Sequence, residues 1–314
     1  MHWRVKGALQ KFLSAVPCGG HLHYLLQRRA GDLKDFDREL DTKVEAWRLM
    51  ANQLRSVGIA IPHGRFLEIG SGWYPTFPIC LYLGGAQSVH TVDLRRQMRR
   101  RLTLDCAIRI ALRVPAIAKA TGRDTRDVFE QQRALVRALL RGSSLERATG
   151  GVVRYSAPTD VGATDRAASS VDVVFSNSVL EHVQRPVIER SFAEARRILR
   201  SGGVIFHSAN CGDHYAHVDS TINQLNYLRY SEAEWKKWNS AFLYQNRLRA
   251  IDFTTMARAA GFTIELDTSR PDPDRLAELA AIDVHPQFAH YSRDQLAITN
   301  FDFVGRKPAR LAPD

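Results

Sequence analysis

Glu68, Gly70, Gly72 and Asp93 are the first residues of the chain whose types and spacing suggest chemistry. The run Arg65-Phe66-Leu67-Glu68-Ile69 is apolar around one acid and is followed by Gly70-Ser71-Gly72. A buried parallel strand that breaks into a tight turn before a helix has this appearance. Glycine without a Cβ lets the backbone approach a ligand closely. The acid beside it suits a cationic or hydroxyl-rich ligand and not a phosphate. Asp93 closes the next apolar run, 21 residues after Gly72 (93 − 72), where a doubly wound fold places the acid that grips ribose hydroxyls. A nicotinamide dinucleotide fits poorly. Its fingerprint needs a third glycine opening the helix, whereas Gly70-Ser71-Gly72-Trp73-Tyr74-Pro75 has a proline there and two bulky rings that would crowd a pyrophosphate.

A second group of reactive residues is Asp213-His214-Tyr215-Ala216-His217-Val218-Asp219. A hydroxyl or amine acting as nucleophile must lose a proton, and a histidine near its reference pKa can take it. His214 and His217 are the candidate bases, with Asp213 or Asp219 as orienting acids. A metal cluster and a plain hydrogen-bonded loop are the alternatives. His207, inside an apolar run, reads as a core histidine.

These residues need strands to carry them. The alternation predicts strands at Arg65–Ile69, Ser88–Val92, Val152–Tyr155, Val171–Ser176 and Val204–Ser208, with two more at Phe262–Leu266 and Thr299–Val304. Helices are expected from Phe77 to Leu83, Val187 to Leu199 and Arg249 to Ala260. Strand, helix, strand in this order is a doubly wound α/β pattern whose ligand lies at the carboxyl ends of the strands. Glu68 to Gly72, Asp93, Asp160, Ser176 to Ser178 and Ser208 to Asn210 would then share one crevice. Residues 1–60 read as a helical N-terminal cap, with helices near Trp3–Val16, His21–Leu26 and Val44–Val57 broken by Pro17-Cys18-Gly19-Gly20. The first helix suits either the capping of a core or a membrane surface. Residues 95–150 are too long for one crossover and read as a helical insertion. Residues 211–248 read as a polar, aromatic loop or lid, and 311–314 as a frayed tail.

The 314 residues and 45% hydrophobic content allow one large core with an accessory layer. No apolar run reaches the length of a membrane span. The N-terminus lacks the apolar stretch and cleavage site of a signal peptide. Cys18, Cys80, Cys106 and Cys211 form no C-x-x-C pair, so neither a zinc knuckle nor a disulfide framework is expected, and the expected compartment is a reducing cytoplasm. The net charge is +11, and residues 95–154 hold fifteen Lys/Arg against five Asp/Glu. Such a segment is either a solvated face or a patch for an anionic partner: nucleic acid, lipid or a phosphorylated substrate.

The successive runs FLEIGSGWYP, TVDL, VDVVFSNSVLEHV and EARRILRSGGVIFHSAN resemble the motifs of class I S-adenosylmethionine-dependent methyltransferases, the type-11 methyltransferase-domain group in particular. The resemblance covers about Arg65 to Ser208 without the insertion. It implies a Rossmann-like seven-stranded sheet with an antiparallel last strand, in a methyltransferase domain of residues 61–310. It also implies S-adenosylmethionine as cofactor. Glu68, Gly70, Ser71 and Gly72 match the motif that contacts the methionine part. Asp93, followed by Leu94, matches the acid that takes both ribose hydroxyls. Asp160 and Val161 match the adenine site, and Asn177 and Ser178 the turn whose backbone faces the methionine end. In some members that methylate catechol-like quinone precursors, two acids and the histidine of the Leu180-Glu181-His182 run hold a divalent metal. Here Ser178 stands at the first acid's position, so no metal is expected.

The expected reaction is in-line methyl transfer to oxygen of a small molecule or a sugar- or lipid-linked biosynthetic intermediate, with transfer to nitrogen as an alternative. A nucleic-acid methyltransferase would use the basic insertion, but the Asn/Asp-Pro-Pro-Tyr/Phe turn is replaced by Ser176-Asn177-Ser178-Val179. A non-catalytic cofactor-binding protein is the remaining class.

Overall fold

The computed structural model describes residues 2–16, 19–31, 33–240 and 243–309. The expectations placed on Pro17, Cys18 and the tail 311–314 lie outside them. Three helices come first: α1 (Trp3–Ala15), α2 (Gly19–Ala30) and α3 (Phe36–Ser56). Then follow β1 (Arg65–Ile69), α4 (Thr76–Leu83), β2 (Ser88–Val92), α5 (Arg100–Arg109), α6 (Val114–Thr121), α7 (Thr125–Leu140) and the short α8 (Leu145–Ala148). The second half runs β3 (Val153–Ser156), β4 (Val171–Asn177), α9 (Arg185–Ile198), β5 (Leu199–Asn210), α10 (Glu232–Trp235) and α11 (Ala250–Ala259). It ends in β6 (Thr263–Asp267), α12 (Pro273–Ala280), α13 (Arg293–Ala297) and β7 (Asn300–Arg306).

The seven strands form one sheet in the order β3-β2-β1-β4-β5-β7-β6. β1 to β5 pair in parallel, and β7 lies antiparallel between β5 and β6. The sheet is the expected doubly wound α/β one, antiparallel last strand included. The central strands are apolar on both faces because helices cover both. Phe66, Val89, Val173, Phe175 and Val204 face one helical layer, and Leu67, Val92, Val174 and Ile205 face the other.

The helical segment at 95–150 does not stand apart from the rest. Leu102, Ile110, Ile117, Val128 and Leu135 share a core with Leu40, Trp47, Met50 and Leu54 of α3 and with the strands. Arg109 and Arg113 reach from this segment to Asp37 and Asp41 at the start of α3, so part of the basic excess stitches helices together.

Helix α3 begins two turns earlier than the sequence predicts. Asp35 caps it by accepting from Arg38 N at 3.2 Å, and Asp37 and Glu39 favour the positive end of the helix dipole. The acid-rich start hides the amphipathic stripe, whose apolar residues become regular only from Leu40. Among the described residues no helix is long and apolar enough to cross a membrane.

A third apolar cluster lies beyond the carboxyl edge of the sheet. Trp3 of α1 packs among Tyr215, Tyr230, Trp235 and Trp238, and its backbone N donates to Asp219 Oδ2 at 2.8 Å. Arg249, wholly buried, ties this cluster to the sheet. Its guanidinium donates to the carbonyls of Cys211 at 2.6 Å, Leu296 at 2.9 Å and Ile298, and to Tyr227 Oη at 2.7 Å.

Candidate functional site

The strand order reverses between β1 and β4, and a cleft of about 410 Å³ opens there at the carboxyl ends. This is the switch-point position of open α/β sheets, and the volume falls within the ~300–1,000 Å³ of small-molecule sites. Gly70, Ser71, Gly72 and Asp93 line one wall and Asn177, Ser178, Val179 and His182 the other. Gln97 closes an end, and Glu39, Thr42, Lys43 and Ala46 of α3 form the roof.

The glycines are where side chains could not be. Gly70 has φ +82°, and a Cβ on it would stand 2.6 Å from Val179 Cγ2. Gly72 has φ +69° and faces open space, which leaves room for a ligand to lie on bare backbone. Asp93 is buried at the cleft wall. Ser71 Oγ donates to one of its oxygens at 3.3 Å and Gly72 N to the other at 3.4 Å. Burial pushes its pKa upward against a Tyr155 hydroxyl bond that pulls it down. Tyr155 Oη also accepts from Gln97 N at 3.1 Å, so β3 fixes the loop that ends the cleft.

Glu68 lies beneath the cleft rather than in its wall. It pairs in register with Thr91, whose hydroxyl donates to it. Burial pushes its pKa up to about 8, with the Thr91 bond opposing. Leu94 is 74% exposed, and Asp160 is exposed too, its carboxylate accepting from Gly162 N at 2.9 Å. Val161 packs against the second core. None of these three lines the cleft.

S-adenosylmethionine fits what is present. Asp93 offers carboxylate oxygens for a vicinal diol, and bare glycine backbone admits a flat, close-lying ligand. Glu39 and Lys43 supply opposite charges for an amino-acid zwitterion. Glu39, Thr42 and Lys43 lie before the Val44 start that the sequence predicts for this helix, although positions 39, 42, 43 and 46 keep helical spacing. Gln97 and Tyr155 carried no signal beyond their polarity.

The histidine loop is sorted by the structure. His182 lines the cleft and its Nδ1 bonds Tyr244 O at 2.7 Å, which leaves Nε2 as a bare acceptor. His214 packs edge-on to His182 with ring centroids 4.9 Å apart. Its Nε2 is buried without a partner. Burial above all, with the His182 and His217 charges adding, lowers its pKa to about 3. Glu181 completes the group. One oxygen accepts from Asn210 N at 3.2 Å, the other has no partner, and burial raises its pKa to about 8. Ligand atoms of Glu181, His182 and His214 all lie within 4.8 Å of one another.

The expected orienting acids do something else. Asp213, fully buried, caps the turn His214–His217 by accepting from Tyr215 N at 2.9 Å and takes Asn226 Nδ2 at 2.9 Å. Asp219 holds Trp3 N and the backbone and hydroxyl of Thr221. Both satisfy backbone donors, and the structure gives neither a bond to a histidine. His217 is exposed and touches His214 at a centroid distance of 5.6 Å. The acid that does stand beside His214 is Glu181, 33 positions before it (214 − 181).

Residues 125–207 match the profile of a protein family described as Methyltransferase domain. Among solved structures, the chain is similar to an S-adenosylmethionine-dependent methyltransferase from Mesorhizobium loti. The identity is 16% over 81% of this chain and 96% of that one, with a TM-score of 0.44. A SAM-dependent methyltransferase from Methanosarcina mazei gives 15% identity, 79% and 93% coverage, and a TM-score of 0.45. Phosphoethanolamine N-methyltransferase 2 from Haemonchus contortus, solved with S-adenosyl-L-methionine, gives 20% identity, 81% and 51% coverage, and a TM-score of 0.42. No curated protein matches the chain. The methyltransferase-domain match runs from α7 into β5 and so includes the Asn177–His182 wall of the cleft.

Proposed function

We propose that the chain is a class I S-adenosylmethionine-dependent methyltransferase that methylates a hydroxyl oxygen of a small molecule or a sugar- or lipid-linked biosynthetic intermediate, with His214 as the base. The observation that carries this reading is the buried, unpartnered His214 Nε2 beside the cleft-lining His182. The bound cofactor supplies an already activated methyl group, so the chain's own work is alignment, exclusion of water and removal of one proton. A neutral imidazole in a dry site can take that proton. It is a weak base while Glu181 is protonated. Once Glu181 ionises, its carboxylate stabilises the imidazolium and strengthens the base, so the rate rises with pH through about 8.

Incubation with methyl-labelled cofactor and a fractionated cell extract identifies the acceptor. His214→Ala then lowers the labelling rate by ~10²–10⁴-fold with cofactor affinity unchanged. Full labelling by that variant rejects the base. The group Glu181, His182 and His214 supports a second reading, because its ligand atoms converge within 4.8 Å and two of its atoms, Glu181 Oε2 and His214 Nε2, are buried without a donor, which suits a divalent cation. Under it, chelator abolishes labelling and added Mg²⁺, Mn²⁺ or Zn²⁺ restores it.

A further inference from the structure

Among the described residues, the helices α1 and α2 are fastened to the rest of the chain by one side. On α1, Trp3 and Leu13 are buried, and a Cβ on Gly7 would stand 2.9 Å from Tyr215 Oη, so this side lies tight against the aromatic cluster. On another side Val5, Leu9 and Phe12 repeat at i, i+4 and i+7 and are 58%, 41% and 64% exposed. On α2, Leu22, Leu25 and Leu26 are likewise exposed. The two helices pack against each other. The pair therefore shows solvent six large apolar side chains, half of the twelve exposed large hydrophobics among the described residues.

The charge carried by these two helices has one sign. Residues 1–31 contain five Lys/Arg (Arg4, Lys6, Lys11, Arg28 and Arg29) and no Asp or Glu. A protein partner would need its own acidic rim to match. An anionic bilayer supplies apolar depth and negative charge together, and a basic amphipathic helix lying in the interface uses both. We propose that the outer face of α1 and α2 docks on an anionic membrane surface.

The attachment has a functional position. Tyr24 of α2 packs on Trp73, with centroids 5.2 Å apart, immediately after the glycine turn of the cleft. Trp3 of α1 packs on Tyr215, between His214 and His217. A docked pair would thus hold both halves of the site close to the headgroups. The docking itself does not depend on the acceptor being lipid-linked.

Co-sedimentation with vesicles tests it, using pure phosphatidylcholine and phosphatidylcholine with about 30 mol % phosphatidylglycerol. The full chain should pellet with the anionic vesicles and stay in solution with the neutral ones, and raised salt should release it in part. The double variant L9S/F12S should lose about tenfold or more of the binding while binding S-adenosylmethionine as before, which shows that it is folded. A variant with Arg95, Arg96, Arg100 and Arg101 changed to Gln should bind vesicles like the wild type. The proposal is overturned if the wild type ignores anionic vesicles or if L9S/F12S binds as well as the wild type. It is also overturned if binding follows the 95–101 arginines, or if L9S/F12S turns a soluble dimer into a monomer, since the face would then be an interface between copies.

Discussion

The two walls of the cleft are made in different ways. The wall that carries Gly70, Gly72 and Asp93 is backbone and short side chains at the ends of adjacent parallel strands, and all of it comes from within 24 residues (70 to 93). The wall behind His182 and His214 draws on residues from Trp3 to Ile298, packed as an aromatic cluster and pinned by two buried arginines, Arg247 and Arg249. Strand register positions the first wall, since Ile69 pairs with Val92 and each strand then breaks at its own ligand residue. No local rule positions the second. Its shape depends on whether Tyr215, Trp235 and Trp238 find Trp3, and on whether the carbonyls around Arg249 find their donor. The Gly70–Asp93 wall should therefore tolerate damage to the aromatic cluster, and the His182–His214 wall should not.

The sharpest way to break this contrast is Arg249→Met. It removes the donor from several buried carbonyls and should cost about 4 kcal/mol, read by urea unfolding, with the aromatic near-ultraviolet signal falling first. A single transition with no early loss of that signal would mean that the two walls unfold as one.

Asp93→Ala acts on the other wall. Losing two charge-assisted bonds should weaken S-adenosylmethionine binding by ~10–100-fold in isothermal titration, with melting little changed.

Smaller, and informative through its sign, is Glu181→Gln. Glu181 has its folded pKa raised to about 8, so the unfolded chain releases its proton first as pH climbs. Its contribution to stability is full below about pH 4.5 and is lost as pH rises through 8. Urea midpoints taken across pH 5 to 8.5 should fall less for the glutamine variant than for the wild type. An equal fall would show that Glu181 does not titrate alone there. A larger fall would point to the cation reading.

The smallest effect belongs to Asp160→Asn, which should change cofactor affinity by less than about twofold, because that carboxylate is exposed and turned to its own Gly162 amide. A tenfold loss would return Asp160 to the adenine site.

The same contrast explains what could be read from sequence. Strand periodicity and paired glycines are local signals, so the strands and the Gly70–Asp93 wall are legible, while the antiparallel last strand is legible only through the resemblance to the methyltransferase motifs. Helix α3 was placed two turns short because acids at its first turn, favoured by the helix dipole, interrupt the apolar stripe. Lys43 and Glu39 were lost with it. Asp213 and Asp219 were misread because an acid near a histidine in sequence looks like a catalytic pair. Here both acids serve backbone amides, and the acid near His214 in space is Glu181, on another strand's exit. Arg249 gave no signal, since its partners are carbonyl groups, which every residue has.

The bond from Trp3 N to Asp219, with the ring of Trp3 against Trp238, also sets a timetable. During synthesis Trp3 leaves the ribosome 235 residues before Trp238 (238 − 3). At ~5–20 residues per second it waits about 10 to 50 s for its pocket to exist. Through that interval a tryptophan and the apolar stripe of α1 are bare on the nascent chain. A ribosome-associated chaperone or a membrane surface would meet this helix before the chain's own aromatic cluster does.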